Sequence, residues 1–365
     1  MSSNHTVKVA VLGASGYTGG ELLRLIATHP RMEVVAATAE KSVGASLASV
    51  FPSLASVFPH LTLEPVDIDS IAKRADAVFL ALPHTKSLAP VAAFLKAGKH
   101  VVDLSADYRL KSAADYERWY NTSHTHQELL EGAVYGLPEL YRQDIQKTKL
   151  VASPGCYPTA AILQLAPLAA KGLLHPGSIV IDAKSGVSGA GRSPALAYHF
   201  PEAHESLEAY KVGQHRHIPE IEQELRFLES RSHDSSKTSP RHDDALHVMF
   251  TPHLVPMNRG ILSTAYCRLH EPMEQEQLRA LYRDFYKGER FIRCAEGDAS
   301  PNPRHVRGAN FCDINVYVDK RAGWVVTVAA LDNLIKGAAG QALQAMNLML
   351  GFPEETGLMG AGVFP

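Results

Sequence analysis

Residues 7–26 read VKVAVLGASGYTGGELLRLI, and this stretch decides the fold. The β-branched run at 7–12 predicts a strand buried on both faces, and the apolar periodicity of 21–26 predicts a helix. The glycines at 13–20 allow a tight turn whose backbone N–H groups can approach a phosphate at the start of that helix. A strand, a glycine turn and a helix in this order indicate a nucleotide-binding unit, although the GxxGxxG spacing departs from the usual GxGxxG pattern and a plain tight turn is the alternative.

The following residues continue the alternation of strands and helices. Strand candidates lie at 33–38, 77–82 and 100–103, and residues 88–96 have a helical pattern. Such alternation predicts a doubly wound parallel sheet of the Rossmann type, in an α/β domain over residues 1–155. The helical pattern of residues 331–350 leads us to expect that residues 331–365 complete this domain.

The second part of the chain has longer strand candidates, at 178–184, 245–256, 260–269 and 311–318. Longer strands with hairpin signals predict an α+β domain over residues 156–330, with a mixed or antiparallel sheet. The polar, serine-rich stretch at 229–244 lacks hydrophobic periodicity and predicts a solvated loop.

Composition narrows the class of partner. Among 365 residues, 36 Lys and Arg balance 38 Asp and Glu, for a net charge of −2. This balance predicts neither a basic surface that binds nucleic acid nor a polybasic patch that binds membranes, so we expect a small-molecule substrate. The four cysteines form no CxxC pair and the sequence shows no signal-peptide pattern, which favours a reducing, cytoplasmic location.

The candidate nucleotide contacts follow the predicted strands. Lys41 and Ser42, after the second strand, suit a 2′-phosphate, whereas Glu40 would favour a 2′-hydroxyl or all three could belong to an ordinary polar loop. We expect NADP rather than NAD. The full set of candidate contacts comprises Gly13, Ser15, Gly16, Tyr17, Thr18, Gly19, Lys41, Ser42, Pro83 and Ser105.

Cys156 is the candidate nucleophile. It lies in SPGCYPT, directly before a segment with a helical pattern. A thiol at a helix N-terminus has a lowered pKa, which is what a nucleophile needs at neutral pH. A buried structural cysteine is the alternative, but the flanking Gly and Pro residues favour a tightly specified, exposed backbone.

Two histidines are the candidate proton carriers. His215 and His217, in GQHRHIPE, form the densest titratable cluster and point the same way if the segment is extended. An HxH metal site and a solvated loop are the alternatives. No set of further ligands lies at metal-binding spacing nearby, so we expect no metal.

Two loops that follow predicted strands are candidate substrate contacts. Arg109 ends the loop SADYR, and the loop SGVSGAGR contains Ser185, Gly186 and Arg192. Arginine suits the capture of a carboxylate or a phosphate, while a surface salt bridge is the alternative for each arginine.

The motifs GASGYTGGELLRL, SADYRL, PGCYPTA, SGVSGAGR, HRHIPEIEQEL, VRGANFCDI and LDNLIKGAAGQA stand in this order over residues 7–350. Together they resemble the N-acetyl-γ-glutamyl-phosphate reductase family of arginine biosynthesis, which is related to aspartate-semialdehyde dehydrogenase. The resemblance implies an NADP-dependent homodimer or homotetramer that reduces an acyl phosphate through a thioester on Cys156. It implies proton transfer by His217, with His215 as a neighbour that could substitute for it.

The resemblance also implies further roles. Arg109 and Arg192 would bind the phosphate or the α-carboxylate, Tyr210 would border the pocket, and Asn333 and Lys336 would approach the cofactor. Ser153 departs from the family pattern, since an asparagine is expected at that position. Two alternatives stay open, namely the same chemistry on aminoadipyl or aspartyl phosphate and a nucleotide-sensing protein without catalysis.

Overall fold

The computed structural model describes residues 6–232 and 245–364, so most of the predicted polar loop, residues 233–244, lies outside the described residues. The chain forms two compact units. The first runs to Gly155 and takes in Ala338–Gly360, and the second comprises Cys156–Gly337 with the residues from Ala361 on. Residues 331–337 and the C-terminal residues from Ala361, which we expected in the first domain, belong to the second unit.

The first unit contains a six-stranded parallel sheet in the order β2-β1-β3-β4-β6-β5, which confirms the predicted doubly wound sheet. Its strands are β1 (Val7–Leu12), β2 (Met32–Ala37), β3 (Ala77–Leu80), β4 (His100–Asp103), β5 (Val134–Tyr135) and β6 (Leu150–Ala152). Its helices are α1 (Tyr17–Ile26), α2 (Leu47–Val50), α3 (Ile68–Arg74), α4 (Leu88–Lys96), α5 (Ala113–Tyr120), α6 (Pro138–Ile145) and, from the end of the chain, α11 (Gly340–Met349).

The central strands have apolar side chains on both faces, as the β-branched sequence predicts. All four residues of β3 are buried, and Leu12 of β1 is fully buried as well. Phe94 of α4 packs in the same apolar cluster as Val78 and Leu80. This core holds the carboxyl ends of the strands in place, which is where ligands bind in sheets of this type.

The turn between β1 and α1 depends on close backbone approach. Gly13 has φ +79°, and a Cβ on Gly19 would lie 2.4 Å from the carbonyl oxygen of Gly13 and 2.7 Å from Cα of Ala14. Gly16 differs, because it has φ −79° and a Cβ there would lie 3.6 Å from the nearest atom. The first turn of α1 therefore packs directly on the end of β1.

The second unit contains a seven-stranded mixed sheet in the order β11-β12-β13-β10-β7-β9-β8, in which only the β7/β9 and β11/β12 pairs are parallel. This sheet confirms the predicted α+β class. Its strands are β7 (Ile179–Gly186), β8 (Glu208–Ala209), β9 (Val248–Val255), β10 (Ile261–Cys267), β11 (Ile292–Cys294), β12 (Cys312–Asp319) and β13 (Trp324–Leu331). Its helices are α7 (Cys156–Ala169), α8 (Phe200–Ala203), α9 (Ile218–Ser230) and α10 (Gln275–Phe285).

The chain after β13 differs from the long helix that the sequence pattern at 331–350 predicts. Leu331 ends β13, a π-helical turn covers Ile335–Ala339, and α11 begins only at Gly340. Strand β13, which the sequence analysis did not predict, pairs with β10 and β12 and takes up the first residue of the expected helix, Leu331. The N–H of Gly337 donates to the carbonyl of Asp332 at 2.9 Å, which is the five-residue bond of a π-turn.

Helix α7 is buried from Tyr157 to its end and contacts β10, β13 and α9. Pro167 lies within it and has no N–H to bond the carbonyl of Leu163. The hydroxyl of Tyr286 donates to that carbonyl, and the hydroxyl of Tyr282 donates to the next one, of Gln164, at 2.6 Å. Tyr286 thus satisfies the carbonyl that Pro167 leaves without its helical donor, and Tyr282 binds the carbonyl next to it.

None of the helices in the described ranges is both long and apolar enough to cross a membrane.

We expect Gly19→Ala to destabilise the protein by about 1–3 kcal/mol, because the added methyl group overpacks the turn. Inside a helix, replacing glycine by alanine usually stabilises a protein by up to ~1 kcal/mol, so a loss at Gly19 would be opposite in sign to the usual effect. Gly16→Ala is the matched control in the same turn and should change the free energy of unfolding by less than ~0.5 kcal/mol. Urea unfolding without nucleotide measures both, and equal values for the two variants would contradict the packing argument.

We expect Tyr286→Phe to cost about 1–3 kcal/mol, because it leaves the carbonyl of Leu163 buried without this donor. With Pro167→Ala the helix regains an N–H at position 167, so the same tyrosine change should cost much less. A double-mutant cycle by urea unfolding measures the coupling. An identical cost of Tyr286→Phe in both backgrounds would show that Tyr286 does not compensate for Pro167.

Candidate active site

In the first unit, the glycine turn presents the start of α1. Helix α1 begins at Tyr17, and its N-cap residue, Gly16, has no side chain with which to cap it. Ser15 and Thr18 are partly exposed on this turn and Tyr17 is exposed. Uncapped N–H groups at a helix N-terminus favour an anion, so the turn fits the pyrophosphate of a dinucleotide.

Three other candidate nucleotide contacts lie after the strands that flank β1. Lys41 is exposed and Ser42 partly exposed beyond β2, next to the exposed Glu40. Pro83 is exposed in the loop after β3. These positions agree with a nucleotide lying along the carboxyl edge of the sheet, and the individual contacts stay predictions.

Ser105 is buried and engaged within the protein. Its hydroxyl donates to Asp103 Oδ2 at 2.6 Å and accepts from the N–H of Asp107 at 3.1 Å. Burial, and secondarily the charge of Asp107, raises the pKa of Asp103 to about 6. The hydroxyl therefore organises the end of β4, and its predicted contact with a cofactor stays untested.

Arg109 is also buried rather than displayed on the surface. Its Nε donates to the carbonyl of Ser153 at 2.7 Å, and its Nη2 donates to the carbonyl of Leu104 at 2.9 Å. The guanidinium group thus fixes the backbone shortly before Gly155, where the first unit ends. Its predicted contact with a substrate anion stays a prediction.

In the second unit, Cys156 is the first residue of α7 and is partly exposed. The π-turn packs against it, since a Cβ on Gly337 would lie 2.9 Å from the Cβ of Cys156. Only glycine allows this approach. The sulfur atom is therefore carried at a helix N-terminus, on a residue against which the π-turn packs, and a helix N-terminus is a setting that lowers a thiol pKa.

A cluster of aromatic rings surrounds the residue after the cysteine. The buried ring of Tyr157 stands edge-on to His215 and His217, with centroids 5.8 and 6.0 Å away, and to Phe250 at 5.4 Å. The two histidine rings are 4.6 Å apart. The fold thus brings the HRH segment to the start of α7, as the sequence analysis expected of a nucleophile and its proton acceptor.

The two histidines have different surroundings. Burial, with smaller contributions from Lys211 and Arg216, lowers the pKa of His215 to about 4, so this ring is neutral at pH 7. Its Nδ1 accepts the backbone N–H of His217 at 3.2 Å, which leaves the ring proton on Nε2. His217 is the residue directly before α9.

Tyr210 completes the cluster. Its hydroxyl donates to that of Tyr157 at 3.2 Å, and the hydroxyl of Tyr157 donates to the carbonyl of His253 at 3.0 Å. Burial raises the pKa of Tyr210 to about 12, and the charge of Cys156 adds to the effect. Tyr210 therefore remains protonated near pH 7, and its predicted place at the border of the pocket stays a prediction.

The loop after β7 is held by the backbone around residue 260. The N–H of Gly186 donates to the carbonyl of Gly260 at 2.9 Å. The side chain of Asn333 accepts the N–H of Gly260 at 2.8 Å and donates to Ser188 Oγ at 3.0 Å. Ser185, also buried, donates to the carbonyl of Gly186 at 3.1 Å. Asn333 thus acts as a brace between two loops, and its predicted approach to the cofactor stays untested.

The last two candidates lie at opposite extremes of exposure. Lys336 is fully buried, with its ammonium group 5.7 Å from the ring centre of Phe291. Arg192 is in an exposed stretch that covers residues 189–202. The roles predicted for both residues, at the cofactor and at the substrate, stay predictions.

Three residues at these sites escaped the sequence analysis, namely Asp107, Tyr157 and Gly337. The alternation Asp103, Ser105, Asp107 at the end of a buried strand is a signal that could have drawn attention to Asp107. The contacts of Gly337 and Tyr157 depend on residues far away in the sequence. Among the described residues, no group of three His, Cys, Asp or Glu side chains could hold a metal ion.

Two family models match the chain. The NAD binding domain of semialdehyde dehydrogenase matches residues 8–148, and the dimerisation domain of semialdehyde dehydrogenase matches residues 156–333. The first unit is therefore an NAD(P)-binding domain.

Solved structures show the same fold. Aspartate semialdehyde dehydrogenase with NADP from Candida albicans has a TM-score of 0.68 at 16% identity, covering 94% of this chain and 98% of that chain. Aspartate semialdehyde dehydrogenase II complexed with ASA from Vibrio cholerae has a TM-score of 0.67 at 16% identity, covering 95% and 99%. At this identity the likeness concerns the fold alone.

Curated relatives are much more similar. The N-acetyl-gamma-glutamyl-phosphate reductase of Geotalea daltonii is 52% identical over 360 residues, 98% of this chain and 100% of that protein. The enzyme of the same name from Pelotomaculum thermopropionicum is 47% identical over 359 residues, 98% and 99% of the two chains. These matches confirm the resemblance carried by the sequence motifs. The chain therefore belongs to the semialdehyde dehydrogenase family, in the branch of the N-acetyl-gamma-glutamyl-phosphate reductases.

Proposed function

We propose that this protein reduces N-acetyl-γ-glutamyl phosphate to N-acetyl-L-glutamate 5-semialdehyde and phosphate, with NADPH, in arginine biosynthesis. The observation that carries the proposal is the placement of Cys156 at the start of α7, beside the rings of Tyr157, His215 and His217. The similarity to reductases of this name over 98% of the chain supports the choice of substrate.

The residues of the second unit account for a covalent reaction. The thiolate of Cys156 attacks the acyl carbon and expels phosphate, which leaves a thioester. Bound NADPH supplies a hydride to the thioester carbon. The resulting hemithioacetal collapses to the aldehyde and restores the cysteine. His217 takes the thiol proton before attack and gives it to the oxyanion that hydride transfer leaves. It takes the proton back from this hydroxyl as the C–S bond breaks, and the released thiolate regains it.

The division of labour between the histidines follows from their surroundings. A ring with a pKa of about 4 is too weak a base to take a thiol proton near pH 7, so His215 serves to orient its neighbour. It does so by accepting the backbone N–H of His217. This leaves His217 as the proton carrier, with Tyr210 and Tyr157 lining the site through their shared hydrogen bond.

NADP is the proposed form of the cofactor. The exposed Lys41 beyond β2 supports it, because an ammonium group there favours a 2′-phosphate on the adenosine ribose. The neighbouring Glu40 would favour NAD, so a comparison of the two nucleotides belongs in the assay below.

A homodimer or homotetramer in the cytoplasm is the proposed state. The match of residues 156–333 to a dimerisation domain supports self-association. The mixed sheet also exposes apolar side chains, among them Met249 of β9 at 61% and Tyr266 of β10 at 40%. Apolar side chains exposed together on a sheet face favour burial against a partner.

We expect the reverse reaction, with N-acetylglutamate semialdehyde, phosphate and NADP, to produce NADPH, measured by its absorbance. Cys156→Ser should abolish turnover, because a hydroxyl group is a far weaker nucleophile near pH 7. Cys294→Ser is the matched control, since Cys294 is also partly exposed but burial raises its pKa to about 11. Cys294→Ser should retain activity.

Several outcomes of this assay would contradict parts of the proposal. Turnover only with aminoadipate or aspartate semialdehyde would overturn the substrate, and turnover with NAD above NADP would overturn the cofactor. No NADPH formation with any of the three aldehydes would favour a nucleotide-sensing protein without catalysis. Activity retained in Cys156→Ser would overturn the thioester.

We expect His217→Asn to lower kcat by about 10²–10⁴-fold, since it removes a general acid and base. His215→Asn is the control and should lower kcat less. Because the pKa of His215 is lowered to about 4, this ring stays neutral from about pH 5.5 to 8, so its loss should leave the acidic limb of the pH–rate profile in place. An acidic limb that vanishes in His215→Asn and persists in His217→Asn would reverse the two roles.

A further inference from the structure

The loop between β3 and α4 borders the glycine turn in the first unit. Strand β1 has β2 on one side and β3 on the other, so the chain changes direction across the sheet at β1. Ligands of doubly wound sheets bind at such a switch point, outside the carboxyl ends of the strands. The loop begins in direct contact with the turn, since a Cβ on Gly13 would lie 2.3 Å from the carbonyl oxygen of Ala81.

This loop contains a strained residue. Thr85 has φ +71°, in the left-handed region that β-branched residues avoid. Such a conformation persists only where the surroundings impose it, and it is concentrated at functional sites. Thr85 lies two residues after Pro83, one of the candidate nucleotide contacts.

The carboxylate of Asp107 imposes the conformation. It is fully buried, and Oδ1 accepts the N–H of Thr85 at 2.7 Å while Oδ2 accepts the N–H of Ser87 at 2.8 Å. The hydroxyl of Tyr116 donates to Oδ1 at 2.9 Å. The two carboxylate oxygens thus clamp the backbone on both sides of Lys86, and hydrogen bonds to a charged acceptor are the strong ones.

Asp107 is itself held rigidly. Its N–H donates to Ser105 Oγ at 3.1 Å, and Nε2 of His124 donates to its carbonyl at 2.8 Å. Nδ1 of His84, in the loop, accepts the N–H of Ala106 at 3.1 Å. The end of β4 and the loop after β3 are therefore joined by three hydrogen bonds that cross between them, two of which end on Asp107.

We propose that Asp107 is a positioning residue for the nicotinamide dinucleotide, because it holds the strained Thr85 turn in the conformation that borders the bound nucleotide. The inference rests on the proposed nucleotide-dependent function. Asp107 acts through the backbone of residues 85 and 87 rather than by touching the nucleotide.

The test measures the Kd of the full chain for NADPH by fluorescence, without acyl phosphate. In Asp107→Asn, either orientation of the amide sets its NH₂ group against a backbone N–H, so we expect the Kd to rise at least about tenfold. Glycine adopts positive φ without strain. In a Thr85→Gly background, the same change should therefore raise the Kd by less than about threefold.

Tyr116→Phe is the matched control. It removes the third bond to the same carboxylate and leaves both backbone bonds, so the Kd should stay within about twofold of the unsubstituted protein. Thermal unfolding of all variants separates loss of fold from loss of nucleotide binding. An unchanged Kd in a folded Asp107→Asn would overturn the inference, and so would an equal penalty with and without the Thr85→Gly substitution.

Amide hydrogen exchange tests the same hydrogen bonds directly in the unsubstituted protein. The amides of Thr85 and Ser87 should exchange slowly before nucleotide is added, and exchange at the rate of an unbonded amide would overturn the clamp. A protein that binds NADPH but does not turn over N-acetyl-γ-glutamyl phosphate would overturn the proposed substrate and leave this inference standing.

Discussion

The need to pair buried hydrogen-bonding groups is the constraint on which both candidate sites depend, because an unsatisfied donor or acceptor away from water costs about 1–3 kcal/mol. In the first unit, the carboxylate of Asp107 satisfies two backbone N–H groups and thereby fixes the loop after β3. In the second unit, Asn333 bonds Gly260 and Ser188 and so joins two loops near the cysteine. The loops at both candidate sites are thus ordered by hydrogen bonds to buried polar side chains.

The same constraint explains why several polar residues named from the sequence have a partner within the protein. Arg109 donates to two backbone carbonyls, and the hydroxyl of Ser105 lies between Asp103 and Asp107. Sequence motifs identify such residues as important but do not show whether they face a ligand or another part of the chain. Helix α7 shows the same pairing of buried groups away from the candidate site residues. There, Tyr286 donates to a carbonyl that Pro167 leaves without its helical partner.

Burial changes the titration of two residues close in type or position to the candidate catalytic ones. His215 and His217 differ by one intervening residue, yet burial beside two cationic side chains lowers the pKa of His215 to about 4. Cys156 and Cys294 are both partly exposed, but burial raises the pKa of Cys294 to about 11. The environments of His215 and Cys294 therefore disfavour the charged imidazolium of the one and the thiolate of the other near pH 7.

The amino-acid sequence alone determined the class of both domains, since the period of apolar residues distinguishes long strands and helices locally. It also determined the glycine turn and the SPGCYPT segment, because glycine permits tight turns and proline fixes φ. The HRH segment was evident from its density of titratable side chains. Only the tertiary structure decided the short strands β5, β6, β8 and β11, which are too short for a period, and it alone revealed β13, which the sequence analysis did not predict. It alone decided that Gly337 packs on Cys156 and that Asp107 clamps Thr85. Those contacts join residues 181 and 22 positions apart, and hydrogen bonds or close packing between distant residues exist only once the chain has folded.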